Sequence, residues 1–299
     1  MKFFMSLLIS GLVLGGTYGL IALGYSLIYK ASGLMSFVQG DIMTLGAYLG
    51  LTFFNLLLPI CGKRPGFIIA VLLTVLCAFL MGMLLERGVI RVLLSKNVLP
   101  IYVVLATIAF SYIIQNGAQL VWGSLTLNFP SVFDIKRVKL FGVNVRPEQI
   151  LCTVASLIIM VILHLFMTKT RFGTSLRAAA MDPMAAQSCG VNVHLSTGIT
   201  WGLSAGLAAI AGILVGPLYG VFILLGNQIG NKGFSGAVIG GYGNMYGAMV
   251  GGLLLGLIET FVTGYISSDY KNLIAYIILI VFLFVKPTGI FNERAIADE

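Results

Sequence analysis

LSTGITWGLSAGLAAIAGILVGPLYGVFILLGNQIGN, residues 195–231, contains no charged side chain. An α-helix needs about 20 apolar residues to cross a hydrocarbon core, so this run is longer than one span requires. The spacing predicts a helix that ends near Pro217 and leaves 219–231 irregular or re-entrant. Outward from it, charge-free runs recur at 3–29, 42–62, 66–85, 97–133, 149–168, 233–258 and 272–285, which makes eight candidate spans. The run 97–133 is also overlong, and its helix is expected to end near Trp122. The run 272–285 is short, but Lys286 can snorkel to the headgroups and lengthen it.

Composition agrees with this pattern. Of 299 residues, 59% are hydrophobic and 9% charged, where a soluble domain carries about 25% charged residues. Mean hydropathy is +1.02. The expected fold is all-α, a polytopic integral membrane protein with about eight transmembrane helices forming one transmembrane domain over 1–299. Lys2 opens an apolar run longer than the h-region of a signal peptide, with no small-residue cleavage site. It reads as the first span, with Gly11, Gly15 and Gly19 at the four-residue spacing that lets helices pack closely in lipid. The net charge of +8 is scattered over loops and termini without a basic stripe, which fits membrane topology better than nucleic-acid binding. With eight spans the two termini share a side, and lysines and arginines divide too evenly to orient the chain. Cys61, Cys77, Cys152 and Cys189 make no metal or redox spacing.

The polar interval 168–194, TKTRFGTSLRAAAMDPMAAQSCGVNVH, reads as a pair of short helices. Thr174 or Ser175 can cap the first, over 176–181. Asp182 caps the second, with Pro183 at its first position, and the helix over 184–189 stops at Gly190. Such a folded pair is either a surface for a partner or an ordered connection. Within the apolar runs, Asp41 and Glu259 are ionisable groups at or near membrane depth, which face protein or water or lie at the interface with a base. Glycines crowd 233–256, GFSGAVIGGYGNMYGAMVGGLLLG, where Gly240, Gly241, Gly243 and Gly247 surround Asn244. Broken or re-entrant segments are therefore expected near 39–50 and 226–247. Interrupted segments in both halves point to a translocation path, and close helix packing is the plainer reading of the same glycines.

Several chemistries are missing. There is no GxxxxGK[ST] phosphate loop and no HExxH, and His164 and His194 stand alone. GLSAG at 202–206 fits the nucleophile-elbow spacing but lies in an apolar helical pattern with no strand before it, so Ser204 reads as a packing residue.

Three blocks together resemble the LivH-type permease subunit of bacterial ABC importers for branched-chain amino acids. The first is GLVLGGTYGLIALGYSLIYKASGLMSFVQGDIMTLGAY, residues 11–48. Gly40, Asp41, Leu45, Gly46, Ala47 and Tyr48 follow the family pattern, while Val38 and Gln39 stand where an alanine-histidine pair is typical. The second runs from Arg177 to Asp182, through Ala186 to Gly190, Val191 and Asn192, with Met181 where an acidic residue is frequent. The third is GGYGNMYGAMVGGLLLGLIE, residues 240–259. The resemblance implies a permease that translocates leucine-, isoleucine- or valine-type amino acids by alternating access in a bacterial inner membrane. It implies a LivM-type second permease, two cytoplasmic ATP-binding subunits and an extracytoplasmic amino-acid-binding protein. ATP would be bound by the partner subunits, with no cofactor in this chain. Residues 169–194 become a cytoplasmic coupling loop shaped by Arg177, Asp182, Ala186 and Gly190, and both termini then lie outside. Gln39, Gly40, Asp41, Gly243 and Asn244 are expected to line the substrate pathway. The loop 123–148, with Asp134, Lys136, Arg137 and Lys139, is expected outside, facing the binding protein. An ion-coupled secondary transporter or channel is the alternative, as is an importer of the same family for urea or amides.

Overall fold

The computed structural model describes residues 2–96, 98–133, 138–140, 143–286 and 288–291. Both the charge-free runs and the polar interval between them become helices: α1 (Lys2–Ser32), α2 (Gln39–Cys61), α3 (Lys63–Leu85), α4 (Arg91–Ser95), α5 (Pro100–Trp122), α6 (Pro147–Lys169), α7 (Arg171–Met181), α8 (Pro183–Ser188), α9 (Val193–Tyr219), α10 (Leu225–Gly240), α11 (Met245–Tyr265) and α12 (Lys271–Val285). A π turn, Glu86–Ile90, joins α3 to α4. Among the described residues, seven helices are long and apolar enough to cross a membrane, with Lys271–Val285 as a shorter apolar one. These are the eight expected spans, and α5 stops at Trp122 as its sequence indicates.

α1 and α9 form the centre, buried along most of their length. Around them stand α2, α10 and α11, and the outer helices α3, α5, α6 and α12 show apolar side chains to the surroundings. That surface of exposed Leu, Ile, Val and Phe suits lipid. The most extensive contact within the bundle is α1 against α11, and the glycine spacing of α1 makes it possible. A Cβ on Gly15 would lie 2.7 Å from the Leu253 carbonyl oxygen, and one on Gly252 would lie 2.5 Å from the Cα of Gly19. No side chain larger than hydrogen fits where one helix backbone rests on another.

The expected irregular stretch after Pro217 is instead short. α9 continues to Tyr219, and Val221 pairs with Leu127 of the 123–146 connection through two backbone bonds, 2.8 and 2.9 Å. That connection also carries a small antiparallel hairpin, Val138–Leu140 with Val143–Val145. Chain then enters α10, whose 16 residues rise about 24 Å through the interior of the bundle. Its glycines and amides keep its hydropathy low, so it was absent from the count of spans, yet it is a further pass. One break lies within the segment where it was expected, at 241–244, where Gly241 and Gly243 have φ of 115° and 92°; the other lies at 33–38, just ahead of an unbroken α2.

The extra pass changes the relation of the termini. Phe3 and Phe4 pack against Tyr265 and Phe261 at the end of α11. Leu283 and Thr288, by contrast, share a cavity with Tyr29 and Lys30 of α1, Ala179 of α7 and Pro183 of α8. The two ends of the described chain therefore sit at opposite ends of the bundle. The expectation that both lie on one side fails because α10 crosses where the sequence suggested a re-entrant loop.

Candidate functional site

Two places collect the residues singled out by the sequence: the helix pair at one end of the bundle and a polar cavity in its wall.

The helix pair is satisfied almost entirely by its own chain. Thr170 caps α7, accepting from the Gly173 N–H at 3.0 Å. The expected caps, Thr174 and Ser175, lie inside the first turns and donate back to the carbonyls of Thr170 and Arg171. The helix starts earlier than its sequence suggests because Gly173 lets it fold tightly against the Met167 carbonyl at the end of α6. Asp182 caps α8 as expected, accepting from the N–H groups of Met184 and Ala185 at 2.9 and 3.0 Å. At the other end, the Gly190 N–H donates to Gln187 and the Val191 N–H to Ala186, at 2.9 and 3.0 Å. This is a Schellman closure, with Gly190 at φ +83°. Asn192 then caps α9. Arg177 donates to the Thr168 carbonyl and the Thr174 hydroxyl, tying α7 to α6, and Ala186 is buried. Met181 and Met184 point outward, 77% and 82% exposed.

Directly after α8, the first turn of α9 is held to α3. Arg91 makes a two-pronged ion pair with Glu86, at 3.2 and 2.7 Å, and donates to the His194 carbonyl at 2.9 Å. The Thr197 hydroxyl donates to Glu86 as well. The π turn at 86–90 places this buried carboxylate and its arginine on the α9 side.

The polar cavity, of about 240 Å³, lies between α2, α5 and α10. Gly40 and Asp41 open α2 there, because a Cβ on Gly40 would meet the Gly226 carbonyl of α10 at 2.5 Å. Asp41 accepts from the Ser111 hydroxyl and from the Gln115 amide, the latter at 2.8 Å. Among the described residues no cation pairs with it. Opposite stand Asn227 and Asn231, which the sequence reading passed over. Their signal is the spacing of four residues within LGNQIGNKG, which puts both amides on one face of α10. Gln39 points elsewhere and donates to the Ser204 carbonyl at 2.7 Å. Ser204 in turn donates to the Gly24 carbonyl at 2.7 Å, so the GLSAG serine is a helix–helix bond. Neither histidine approaches it: His164 contacts the Tyr246 hydroxyl and His194 lies in the first turn of α9.

Gly243 and Asn244 do not share the Asp41 cavity. They form the turn before α11, where Asn244 accepts from the N–H groups of Tyr246 and Gly247 and donates to the Phe291 carbonyl. Gly243 lines a larger cavity of about 940 Å³ at the α7 end. Between the two cavities lies an aromatic partition in which Phe234 meets Tyr25, Phe37 and Tyr242, each with ring centroids 5.6 Å apart. Lys139 lies in the hairpin at the opposite end, while Asp134, Lys136 and Arg137 lie outside the described residues.

Glu259 has a partner that the sequence hid. Lys232, the one charge between the apolar runs 195–231 and 233–258, is buried in the middle of α10 and bonds Glu259 at 2.5 Å, and the Tyr18 hydroxyl donates to the same carboxylate at 2.8 Å.

A family model described as branched-chain amino acid transport system / permease component matches residues 7–283. The chain is 31% identical to the high-affinity branched-chain amino acid transport system permease protein LivH of Escherichia coli (strain K12), over 97% of this chain and 96% of the relative. It is 30% identical to the LivH protein of Salmonella typhimurium over the same shares. It is 32% identical to the permease protein BraD of Pseudomonas aeruginosa, over 65% of this chain and 64% of the relative. No solved structure matches.

Proposed function

The chain belongs to the branched-chain amino acid transport permease family, and from that premise we propose that it is a membrane-spanning subunit of an ATP-driven importer for leucine-, isoleucine- and valine-type amino acids. It works as one domain in a bacterial inner membrane, beside a LivM-type permease, above two cytoplasmic ATP-binding subunits and below an extracytoplasmic binding protein. ATP binds in the partner subunits. The observation that carries this reading is the α7–α8 pair: capped at each end, closed by Gly190, and presenting Met181 and Met184 to the outside. Flexible, polarizable methionines on an ordered surface suit a protein groove.

Under this reading the α7 end is cytoplasmic, so Lys2 starts outside and 288–291 finish inside. Arg177, Asp182, Ala186 and Gly190 keep the pair rigid enough to transmit a push. The push enters α9 through the Asn192 cap and reaches α3 through Arg91 and Glu86. ATP can bias the spans only through contacts that differ between the two states. Alternating access then opens and closes the aromatic partition around Phe234, with Gly40 and Asp41 lining the cavity on one side of it and Gly243 the cavity on the other, while Gln39 and Asn244 hold the helix ends beside them.

Gly190→Val tests the coupling role. Valine resists the left-handed conformation by about 1–2 kcal/mol, and no neighbour lies within 4 Å of a Cβ there to confuse the result. The variant is expected to insert normally and to lose most leucine uptake. Normal uptake together with normal ATPase stimulation would remove the assignment.

The reading as a whole is tested by uptake of labelled leucine into vesicles. These contain this chain alone, or this chain with a LivM-type permease, both ATPases and the binding protein. Uptake is expected only in the full set with ATP inside. Uptake by this chain alone on a sodium or proton gradient would make it a secondary carrier. ATP hydrolysis stimulated by the binding protein without leucine movement would shift the substrate to other amino acids, urea or amides.

A further inference from the structure

Asp41 is a buried carboxylate, 3% exposed, that faces a cavity with two hydrogen-bond donors and no cation. The donors are the Ser111 hydroxyl and the Gln115 amide. A carboxylate at this depth is costly unless something compensates it. The rest of the cavity is not arranged to bury it: the walls are Phe37, Ile108 and Tyr112 on one side and the amides of Asn227 and Asn231 on the other. Asn231 donates to the Asn227 side-chain oxygen at 2.7 Å. Among the described residues the Asn227 amide nitrogen has no acceptor, so its N–H groups are available to an anion.

We propose that this cavity is a holding site for the zwitterion of an aliphatic amino acid on its way through the permease. The α-ammonium replaces the missing cation beside Asp41. The α-carboxylate accepts from the amides of Asn227 and Asn231, across the cavity. The side chain rests on Phe37, Ile108 and Tyr112. The charges of a free amino acid are thereby matched one for one, while the apolar wall accepts leucine, isoleucine or valine without a tailored fit. The Phe37–Phe234 contact closes the cavity from the larger one at the α7 end, so a substrate would stop here until that contact opens. The side between α5 and α10 is open, where Tyr112, Asn227 and Asn231 are exposed. Exposed amides at membrane depth call for water or protein rather than lipid, which sets this face at the seam with the second permease.

The site deepens the importer reading and rests on it. The experiment uses the full importer in vesicles and records leucine moved per ATP hydrolysed. Asp41→Asn keeps the shape and removes the charge. It is expected to lower that ratio roughly ten- to a hundredfold, the weight of a charge-assisted hydrogen bond, and Asp41→Glu to recover part of it. A purely structural Asp41 would lower uptake and hydrolysis together and leave the ratio unchanged, which overturns the proposal. If Asp41→Asn fails to assemble, Asn227→Asp at the exposed mouth of the cavity decides. It sets a negative charge against the substrate carboxylate and is expected to lower the same ratio, and an unchanged ratio overturns the site. A wild-type importer that moves no leucine per ATP would instead count against the importer reading, so the two failures are separable.

Discussion

Lys232→Met is expected to destabilise the isolated permease by about 3–5 kcal/mol, the cost of leaving one member of a buried ion pair without its partner. Lys232 and Glu259 are 7% and 3% exposed, and their contact is 2.5 Å. Once the ammonium is removed, Glu259 keeps only the Tyr18 hydroxyl to offset its burial. Adding Glu259→Leu to the same chain is expected to recover most of the loss, because apolar groups need no compensation in the bundle. The recovery stops short by about 1–3 kcal/mol, since Tyr18 then holds a buried hydroxyl with no acceptor. Adding Tyr18→Phe should close that gap. Thermal unfolding in detergent of the single, double and triple variants gives the answer. If the double variant is less stable than either single one, the pair contributes net stability beyond its own compensation, and this account of it fails.

Gly252→Leu is expected to abolish recovery of folded protein. Gly252 lies where α11 meets two helices at once. A Cβ there would come 2.5 Å from the Gly19 Cα of α1, and a Cβ on Gly236 of α10 would come 2.8 Å from Gly252 itself. Overpacking a core costs typically about 1–3 kcal/mol when side chains can yield. Here the obstacles are backbone atoms of neighbouring helices, which move only if α1 or α10 is displaced whole. Gly117→Leu is the control: it sits on α5 with nothing within 4 Å. That substitution is expected to be tolerated, with a small gain from better helix propensity. Size-exclusion profiles of the two variants side by side measure the contrast. Equal profiles would mean that the α1–α11 crossing is not the close contact described.

What could be read in the sequence was whatever is decided locally. The absence of charge over 3–29 or 149–168 is enough to require a helix in lipid, and α1 and α6 follow. Asp182-Pro183 and Gly190 determine the ends of α8 through contacts a few residues long. Where the outcome depends on a neighbour, the sequence was silent or misleading. α10 escaped notice because Gly226, Asn227, Gln228, Gly230 and Asn231 dilute its hydropathy. Gly226 and Gly230 pack against Gly40 of α2, while Asn227 and Asn231 face the open polar cavity. Lys232 looked like the edge of a loop because its partner stands 27 residues further on, across a helix–helix contact that no spacing rule reveals. The same holds for the cavity. Asp41 could be singled out as an ionisable group in an apolar run, but Ser111 and Gln115 of α5 reach it across a separation of 70 residues or more. Asn244 drew attention as a polar group among glycines, and its short-range role turned out to be the cap of α11.

The turn at 241–244 carries an implication for how this chain is made. Its upstream helix leaves the carbonyls of Ile239 and Gly240 without partners inside the helix, and they are met by the N–H groups of Ile290 and Phe291. Asn244 also donates to the Phe291 carbonyl, 47 residues further on. A ribosome delivers residues in order, so during synthesis α10 and α11 enter the membrane with this turn unsealed. It can be sealed only after α12 has crossed and residues 288–291 have returned to it. Until then the carbonyls of Ile239 and Gly240 lack the partners they have in the finished fold, so closing this turn belongs to the last steps of assembly.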